Sequence, residues 1–284
     1  MNKTTIEWVF NADGSRPGYS VNPMTGCLNQ VDGVCKGGGF KCYAWLQSHN
    51  KGPRGLYRAD MAGMPVVDGG LYSYVFEKLD SFHPRIHEKR FDQLLHAPKN
   101  AGIFVCDRSD WAAGYWPGWC QERILEAARK RPDIRLYLLT KQPQELAKFN
   151  PFPDNCRVGV TCCTQEMYFT AIHHLSVVEA KVKFLSIEPL TESIELFPDT
   201  VRGAGIKWVI TGAQTKPVKY PEVGWVEEIV NAADVAGAKV FLKDNLKGLL
   251  VHKMSTYAGV SLPDWAMAKK GCPERPLRQE IPEG

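Results

Sequence analysis

Six short apolar runs, most of them rich in branched or aromatic residues, occupy the middle of the chain. Consecutive runs start 22 to 32 residues apart, which leaves room for a helix in every gap. Continuous apolar runs that alternate with helices are typical of parallel strands buried on both faces. The sequence therefore predicts strands at residues 103–106, 135–139, 157–160, 183–187, 207–210 and 239–242.

Helical periodicity appears between these runs. Residues 120–131 place Ile124, Leu125 and Ala128 on one face, and residues 142–149, 165–175 and 225–236 show a weaker pattern of the same kind. A further strand is predicted at residues 19–22. We expect an α/β fold, a partial or irregular TIM-type (β/α) barrel of six to seven parallel strands. A doubly wound open sheet is the alternative.

Two stretches do not follow the alternation of strands and helices. Residues 51–100 begin with a segment rich in Gly, Pro and Met and continue with helical stretches that carry scattered basic residues. The tail at 262–284 is too rich in proline for another regular unit. We expect a single domain over residues 1–284, with an insertion at 51–100 and a C-terminal tail at 262–284.

Composition narrows the class of protein. Hydrophobic residues make up 44% and charged residues 23%, as in ordinary globular enzymes. There is no run of about 18 apolar residues and no signal-peptide core, so we expect a cytoplasmic protein without a membrane partner. The net charge of +4 is compatible with a polyanionic partner. Nine cysteines, an odd number, favour ligation or reactive thiols over a disulfide framework.

Three of these cysteines, Cys27, Cys35 and Cys42, lie within sixteen residues directly after the first predicted strand. An iron–sulfur cluster is normally held by four cysteines, so a cluster held by three would leave one iron open. The alternative is a zinc-stabilised loop with a histidine such as His49 as the fourth ligand. Zinc ligands usually come in closely spaced pairs, and no such pair is present here.

Polar residues follow each predicted strand, at the end that carries the active site in βα barrels. Each one singly could be a helix cap or a turn residue. Their recurrence predicts a polar ligand, because burying so many polar groups without partners is costly. They are Asp107, Arg108, Ser109 and Asp110; Thr140, Lys141 and Gln142; Thr161, Cys162 and Cys163; Ser186 and Glu188; Thr211, Gly212 and Gln214; and Lys243, Asp244 and Asn245.

Four segments carry a resemblance to a known family: residues 6–8 (Ile-Glu-Trp), 22–44 with the three cysteines, 138–143 (Leu-Leu-Thr-Lys-Gln-Pro) and 184–190 (Phe-Leu-Ser-Ile-Glu-Pro-Leu). On these residues the chain resembles an uncharacterised phage and bacterial family with a three-cysteine motif, which is similar to the radical S-adenosylmethionine (SAM) superfamily. Radical SAM enzymes usually show C-x₃-C-x₂-C. Here six residues, three of them glycine, separate Cys35 from Cys42, and glycine lets such an insertion loop out.

The resemblance implies a mechanism and a set of site residues. Cys27, Cys35 and Cys42 would hold a [4Fe–4S] cluster, SAM would bind its open iron, and an external donor of the flavodoxin or ferredoxin type would supply the electron. SAM cleavage would then yield a 5′-deoxyadenosyl radical. Cys163, Lys141 and Glu188 are the catalytic candidates. The candidates for contacts to the cofactor are Asp107, Ser109, Thr140, Thr161, Glu188, Thr211, Gln214 and Lys243.

The substrate is the least determined part of the prediction. The phage association, the net charge and the aromatic residues Trp111, Tyr115, Trp116 and Trp119 suggest a nucleobase or nucleic acid, because aromatic rings stack on bases. These residues could equally pack a loop. We expect radical modification or rearrangement of a base in phage DNA, and a free nucleotide or a peptide stays open. The alternative function is a zinc-stabilised, non-catalytic nucleic-acid-binding protein.

Overall fold

The computed structural model describes residues 1–29, 35, 42–52, 56–67, 70–71, 80–215, 217–254, 263–267 and 277–283. The chain divides into two compact units, Met1–Glu145 and Leu146–Gly284. No helix in the described ranges is both long enough and apolar enough to cross a membrane.

The first unit is built around three parallel strands. Strand β2 (Tyr19–Val21) pairs with β7 (Gly102–Val105), and β7 pairs with β8 (Arg135–Thr140), all in parallel. Strand β1 (Asn2–Lys3) adds an antiparallel edge to β2. A small antiparallel sheet has the order β3-β6-β4-β5. The strands are β1 (Asn2–Lys3), β2 (Tyr19–Val21), β3 (Met24–Thr25), β4 (Met64–Val67), β5 (Gly70–Leu71), β6 (Arg85–Ile86), β7 (Gly102–Val105) and β8 (Arg135–Thr140), and the helices are α1 (Tyr43–Ser48), α2 (Tyr57–Met61), α3 (Glu88–Leu95) and α4 (Gly118–Lys130).

The second unit contains four parallel strands in the order β9-β10-β11-β14 and a two-stranded hairpin of β12 and β13. Its strands are β9 (Cys156–Thr161), β10 (Val182–Ile187), β11 (Ile206–Thr211), β12 (Gln214–Thr215), β13 (Val218–Lys219) and β14 (Lys239–Leu242), and its helices are α5 (Gln165–Leu175), α6 (Pro198–Gly203), α7 (Val223–Ala236) and α8 (Lys247–Met254). Short 3-10 helices form at Pro143–Phe149, Asp244–Leu246 and Asp264–Ala266.

Local sequence explains why these elements form. Every residue of β9 and β10 is buried, as expected for strands covered on both faces. Gly159 lets the two strands pack closely, because a Cβ at this position would overlap the ring of Phe184. Helix α5 begins at the N-cap Thr164, whose hydroxyl accepts from Met167 N at 3.2 Å, and α7 ends at Gly237 in the left-handed region (φ 78°).

The seven predicted strands are all confirmed, with ends that differ by at most one residue. The α/β class with mostly parallel strands is confirmed as well, and the closure of a barrel stays a prediction. The helix predicted at residues 142–149 is wrong in type, because Pro143–Phe149 is a 3-10 helix. The segment is short, Pro143 starts it and Pro151 follows it, so a regular α-helix has no room to extend.

Candidate functional site

The chain leaves β2 and reaches Cys27 along a path that the backbone fixes closely. Gly26 adopts a left-handed conformation (φ 81°), and a Cβ on it would overlap the carbonyl groups of Phe82 and His83. Gly26 N donates to Arg108 O at 3.1 Å, and Cys27 N donates to Phe82 O at 3.0 Å. A side chain at position 26 would therefore displace Cys27.

The cysteine loop, residues 27–42, is described at both of its ends and at Cys35. Asn29 links two of the cysteines, since its N–H donates to Cys27 Sγ at 3.4 Å and its carbonyl oxygen accepts from Cys35 N at 3.1 Å. Cys42 is the extended N-cap residue of α1 (φ −62°, ψ 119°). Residues 30–34 and 36–41 lie outside the described residues.

Electrostatics show that the three thiols influence one another. Burial and, to a smaller extent, the nearby Asp110 raise the pKa of Cys27 to about 12. Burial also raises the pKa of Cys35, while Lys141 acts in the opposite direction. Cys35 interacts with the charge on Cys27 and with that on Cys42. Among the described residues, however, no three Cys, His, Asp or Glu side chains are grouped closely enough to hold a metal ion.

His49, the histidine considered as a zinc ligand, has both ring nitrogens engaged. Its Nδ1 lies 2.8 Å from Trp45 O, and its Nε2 lies 2.8 Å from Asp80 Oδ2. Its ring also packs against the ring of Trp45, with centroids 4.1 Å apart. To bind zinc, His49 would first have to leave Asp80 or the helix carbonyl.

Asp110 is the most heavily hydrogen-bonded carboxylate near the cysteine loop, and it is only 5% exposed. Its Oδ1 accepts from Thr140 Oγ1 at 2.5 Å and from Ala112 N at 3.3 Å. Its Oδ2 accepts from Asn29 Nδ2 at 3.1 Å and from Lys141 N at 2.9 Å. Burial raises the pKa of Asp110, and these donors oppose that effect. Asp110 thus connects the cysteine loop to the end of β8.

Gln142 completes this arrangement, which we call the Asp110 network (Asn29, Asp110, Thr140 and Gln142). Gln142 Nε2 donates to Asn29 Oδ1 at 2.7 Å, and Gln142 N donates to Thr140 Oγ1 at 2.9 Å. Sequence reasoning named Asp110 and Gln142 only as strand-end polar residues and did not consider Asn29. The available signal was the position of Asn29, an amide side chain two residues after a candidate ligand.

The strand-end residues after β7 hold neighbouring backbone. Ser109 Oγ donates to Met24 O at 3.0 Å, and Asp107 Oδ1 accepts from Asn22 Nδ2 at 2.5 Å. Burial raises the pKa of Asp107. Asn22 Oδ1 in turn accepts from Arg108 N at 3.0 Å. Asp107 and Ser109, both predicted to contact the cofactor, thus lie beside the segment that leads to Cys27.

The second unit has its own set of polar residues at the strand ends. Glu188, after β10, forms an ion pair with Lys243, after β14, and both side chains are only partly buried. Cys163 Sγ donates to Glu188 O at 3.3 Å, and Thr211 Oγ1 donates to Ile187 O at 3.3 Å. The structure therefore brings Cys163, Glu188 and Lys243 together.

Two other predicted residues of this unit lie in different surroundings. The Thr161 hydroxyl is buried, and it has no hydrogen-bond partner in the described part of the chain. Gln214 Nε2 donates to Pro217 O at 3.0 Å within the hairpin of β12 and β13. Thr161 is therefore the stronger candidate for a ligand contact, because an unsatisfied buried hydroxyl is costly.

The family model described as Protein of unknown function (DUF5131) matches residues 3–258. The chain belongs to this family. No curated protein and no solved structure matches the chain. Membership agrees with the expectation of an uncharacterised family, while the phage association and the radical SAM chemistry stay predictions.

In this DUF5131 protein, the aromatic residues considered for base stacking divide into two groups. Trp111 and Trp116 are buried, 0% and 4% exposed, which favours packing for these two side chains. Trp119 is 36% exposed, and its ring packs against Phe91 with centroids 5.6 Å apart. Neither buried tryptophan can offer its ring to a base unless the loop rearranges.

Proposed function

We propose that the protein is a radical SAM enzyme in which Cys27, Cys35 and Cys42 hold a [4Fe–4S] cluster. The single observation that carries the proposal is the fixed backbone at Gly26 and Cys27, where the cysteine loop begins. Gly26 N donates to the carbonyl group of Arg108 after β7, and Asn29, whose N–H donates to Cys27 Sγ, is held by Asp110 near the end of β8. The proposal includes a partial or irregular barrel, in which strand ends carry the chemistry.

The donor set suits such a cluster. Three thiols are the ligand type that iron–sulfur clusters use, and a fourth protein ligand is not required when SAM completes the coordination. His49, which the zinc alternative would recruit, is engaged with Asp80 and with a helix carbonyl. The bound cluster would supply the electron that breaks a carbon–sulfur bond of SAM, after reduction by a flavodoxin- or ferredoxin-type donor.

The residues of the chain position and shield this chemistry. Asn29 holds the backbone between Cys27 and Cys35, and Asp110 holds Asn29 in turn. Lys141 places a positive charge near Cys35, which would stabilise thiolate ligands. Burial of Cys27 limits the access of water to the reacting centre.

The residues of the second unit keep their proposed roles as contacts to SAM. Glu188 and Lys243 present one negative and one positive group, which suits the charged amino and carboxylate groups of an amino acid. Cys163 is proposed to donate a hydrogen atom. Thr161 offers a buried hydroxyl, Thr211 adds a polar group at the end of β11, and Gln214 adds one beyond that strand.

The proposed substrate is a nucleobase in DNA, in a phage-infected or phage-carrying host. The support is the net charge of +4 together with the partly exposed Trp119, since cationic surfaces and aromatic rings both bind nucleic acid. Nucleosides from host or phage DNA, prepared with the active protein and with a Cys35→Ala variant, should differ by a modified base in mass spectrometry. Identical nucleoside profiles would remove DNA as the substrate.

Anaerobic reconstitution with iron and sulfide tests the proposed chemistry. We expect about four irons per chain and broad absorption near roughly 400 nm, and 5′-deoxyadenosine should form from SAM with dithionite. Cys27→Ala, Cys35→Ala and Cys42→Ala should each lose this activity. Cys120→Ala, which alters a buried cysteine of α4 outside the loop, is the matched control and should keep it. One equivalent of zinc without iron would favour the zinc-stabilised binding protein.

A further inference from the structure

Two arginines of this chain are almost completely buried but have very different partners. Arg278, 2% exposed, donates to both oxygens of Asp234 at 2.5 and 2.7 Å and lies 2.9 Å from Glu280. Burial lowers the pKa of Arg278, but the two carboxylates outweigh this effect and raise it. Arg85, 0% exposed, donates from Nη1 to Gly63 O at 3.3 Å. Burial lowers the pKa of Arg85.

The remaining donors of Arg85 form a consistent pattern. Its Nε and Nη2 are buried, and they have no hydrogen-bond partner within the described ranges. These two nitrogens lie on the same edge of the planar guanidinium group, the edge that donates two parallel hydrogen bonds to a carboxylate or phosphate. Burying two charged donors without an acceptor is costly, and an oxyanion would satisfy both.

Asp60, the carboxylate with the largest electrostatic effect on Arg85, is already engaged by another arginine. Asp60, which is fully buried, accepts from Arg108 Nη1 at 2.6 Å and from Ser48 Oγ at 2.7 Å, and Arg108 Nη2 also donates to it. Asp60 acts on Arg85 electrostatically, as do the more distant Tyr57 and Asp80. One carboxylate therefore serves two buried guanidinium groups.

Arg90 and Arg108 add positive charge near Arg85 in the described part of the chain. Burial and, to a smaller extent, Arg90, Arg108 and Arg85 lower the pKa of His87 to about 3, so His87 is neutral near pH 7. Arg90 donates its hydrogen bonds to the carbonyl groups of Asn22 and Ala59, which carry no charge. An anion placed beside Arg85 would be attracted by all three arginines.

We propose that the Nε–Nη2 edge of Arg85 binds a small oxyanion, either a phosphate or a carboxylate group, next to the Asp60–Arg108 pair. The anion accepts one hydrogen bond from each nitrogen, and its negative charge faces two donors that have no acceptor among the described residues. This site is separate from the proposed cluster ligands and does not depend on radical chemistry.

Thermal unfolding of the full-length chain tests this site directly. The protein is exchanged into chloride buffer. The midpoint temperature of its thermal unfolding is then measured at increasing concentrations of inorganic phosphate or acetate, at constant ionic strength. A specific ligand raises the midpoint by roughly 5 °C at a hundred-fold excess over its Kd. A larger shift with phosphate identifies a phosphate site, and a larger shift with acetate identifies a carboxylate site.

Substitutions connect the shift to Arg85. Arg85→Gln should abolish the anion-dependent rise, and Arg85→Lys, which keeps the charge but loses the two-donor edge, should reduce it. Arg278→Gln is the matched control: its midpoint falls because Asp234 and Glu280 lose a buried partner, yet it keeps the full rise with the anion. If Arg85→Gln does not fold, the anion-dependent rise of the midpoint in Arg85→Lys is compared with the rise in the unaltered chain, and a smaller rise in Arg85→Lys supports the site. The proposal is overturned if neither anion raises the midpoint, or if the Arg85 variants keep the full rise.

Discussion

The two units stabilise the charged groups at their strand ends in different ways. In the first unit, Asp110 is buried and its charge is matched by uncharged donors from Asn29, Thr140 and two backbone amides. In the second unit, Glu188 and Lys243 neutralise each other while water reaches both. A buried carboxylate with fixed donors holds a loop in one geometry, whereas an ion pair whose side chains are 15% and 23% exposed can exchange its partner for a ligand.

This contrast suggests that the two units have different roles in the proposed function. The first unit positions the cysteines and should tolerate substitution poorly. The second unit offers exchangeable charges, so its substitutions should affect ligand binding far more than folding.

Asp60→Ala should have the largest effect on stability. It leaves the Arg108 guanidinium buried without its carboxylate partner and also removes the acceptor of Ser48. We expect a loss of about 3–5 kcal/mol in the free energy of unfolding, measured by urea denaturation. Asp199→Ala removes an exposed ion pair with Arg202 and should change the free energy by less than about 1 kcal/mol. Equal effects of the two substitutions would show that burial is not the deciding factor.

Asp110→Ala should come next, at about 3 kcal/mol, because four donors lose their acceptor in a buried site. Gln142→Ala, which removes the bond to Asn29 Oδ1 and a long one from Gly114 N (3.5 Å), is the smaller perturbation of the same network, at about 1 kcal/mol. The accessibility of Cys27 and Cys35 to a thiol reagent should rise more in Asp110→Ala than in Gln142→Ala. Unchanged thiol accessibility in both variants would remove the network from its positioning role.

The pH dependence of stability should reveal the buried His87. Its folded pKa of about 3 lies below its usual value of 6.5, so the unfolded chain takes up a proton that the folded chain does not. The contribution of His87 to stability is therefore complete above pH 6.5 and is lost as the pH falls toward 3, by up to about 1.4 kcal/mol per pH unit. His87→Gln should make the free energy of unfolding less dependent on pH between 6 and 4. An identical slope in the two proteins would contradict the burial of a neutral imidazole.

Glu188→Gln should have the smallest effect on folding, less than about 1 kcal/mol, because the pair with Lys243 is partly exposed. We expect the iron content to stay unchanged and the formation of 5′-deoxyadenosine to fall. Glu192→Gln, on the same loop beyond β10 but bonded to Gln165 N, is the control and should leave SAM cleavage unchanged. Full turnover in Glu188→Gln would exclude Glu188 from the SAM site.

The strands were predictable because their apolar runs are continuous and separated by helix-length gaps, as at residues 183–187 and 207–210. The site was predictable only as a set of polar residues at strand ends. Asp110 and Asn29 are 81 residues apart, and Glu188 and Lys243 are 55 apart. No local pattern indicates which of these residues meet, because strand order and register decide it. The burial of Arg85 could not be predicted either, because a strand of two residues has no recognisable periodicity.

The central claim, a cluster with one open iron held by Cys27, Cys35 and Cys42, is tested most directly by low-temperature electron paramagnetic resonance of the reconstituted, dithionite-reduced protein. We predict the signal of a reduced [4Fe–4S] cluster and a change in its g values when SAM is added. A protein that binds only zinc, or a cluster signal that SAM leaves unaltered, would contradict the claim.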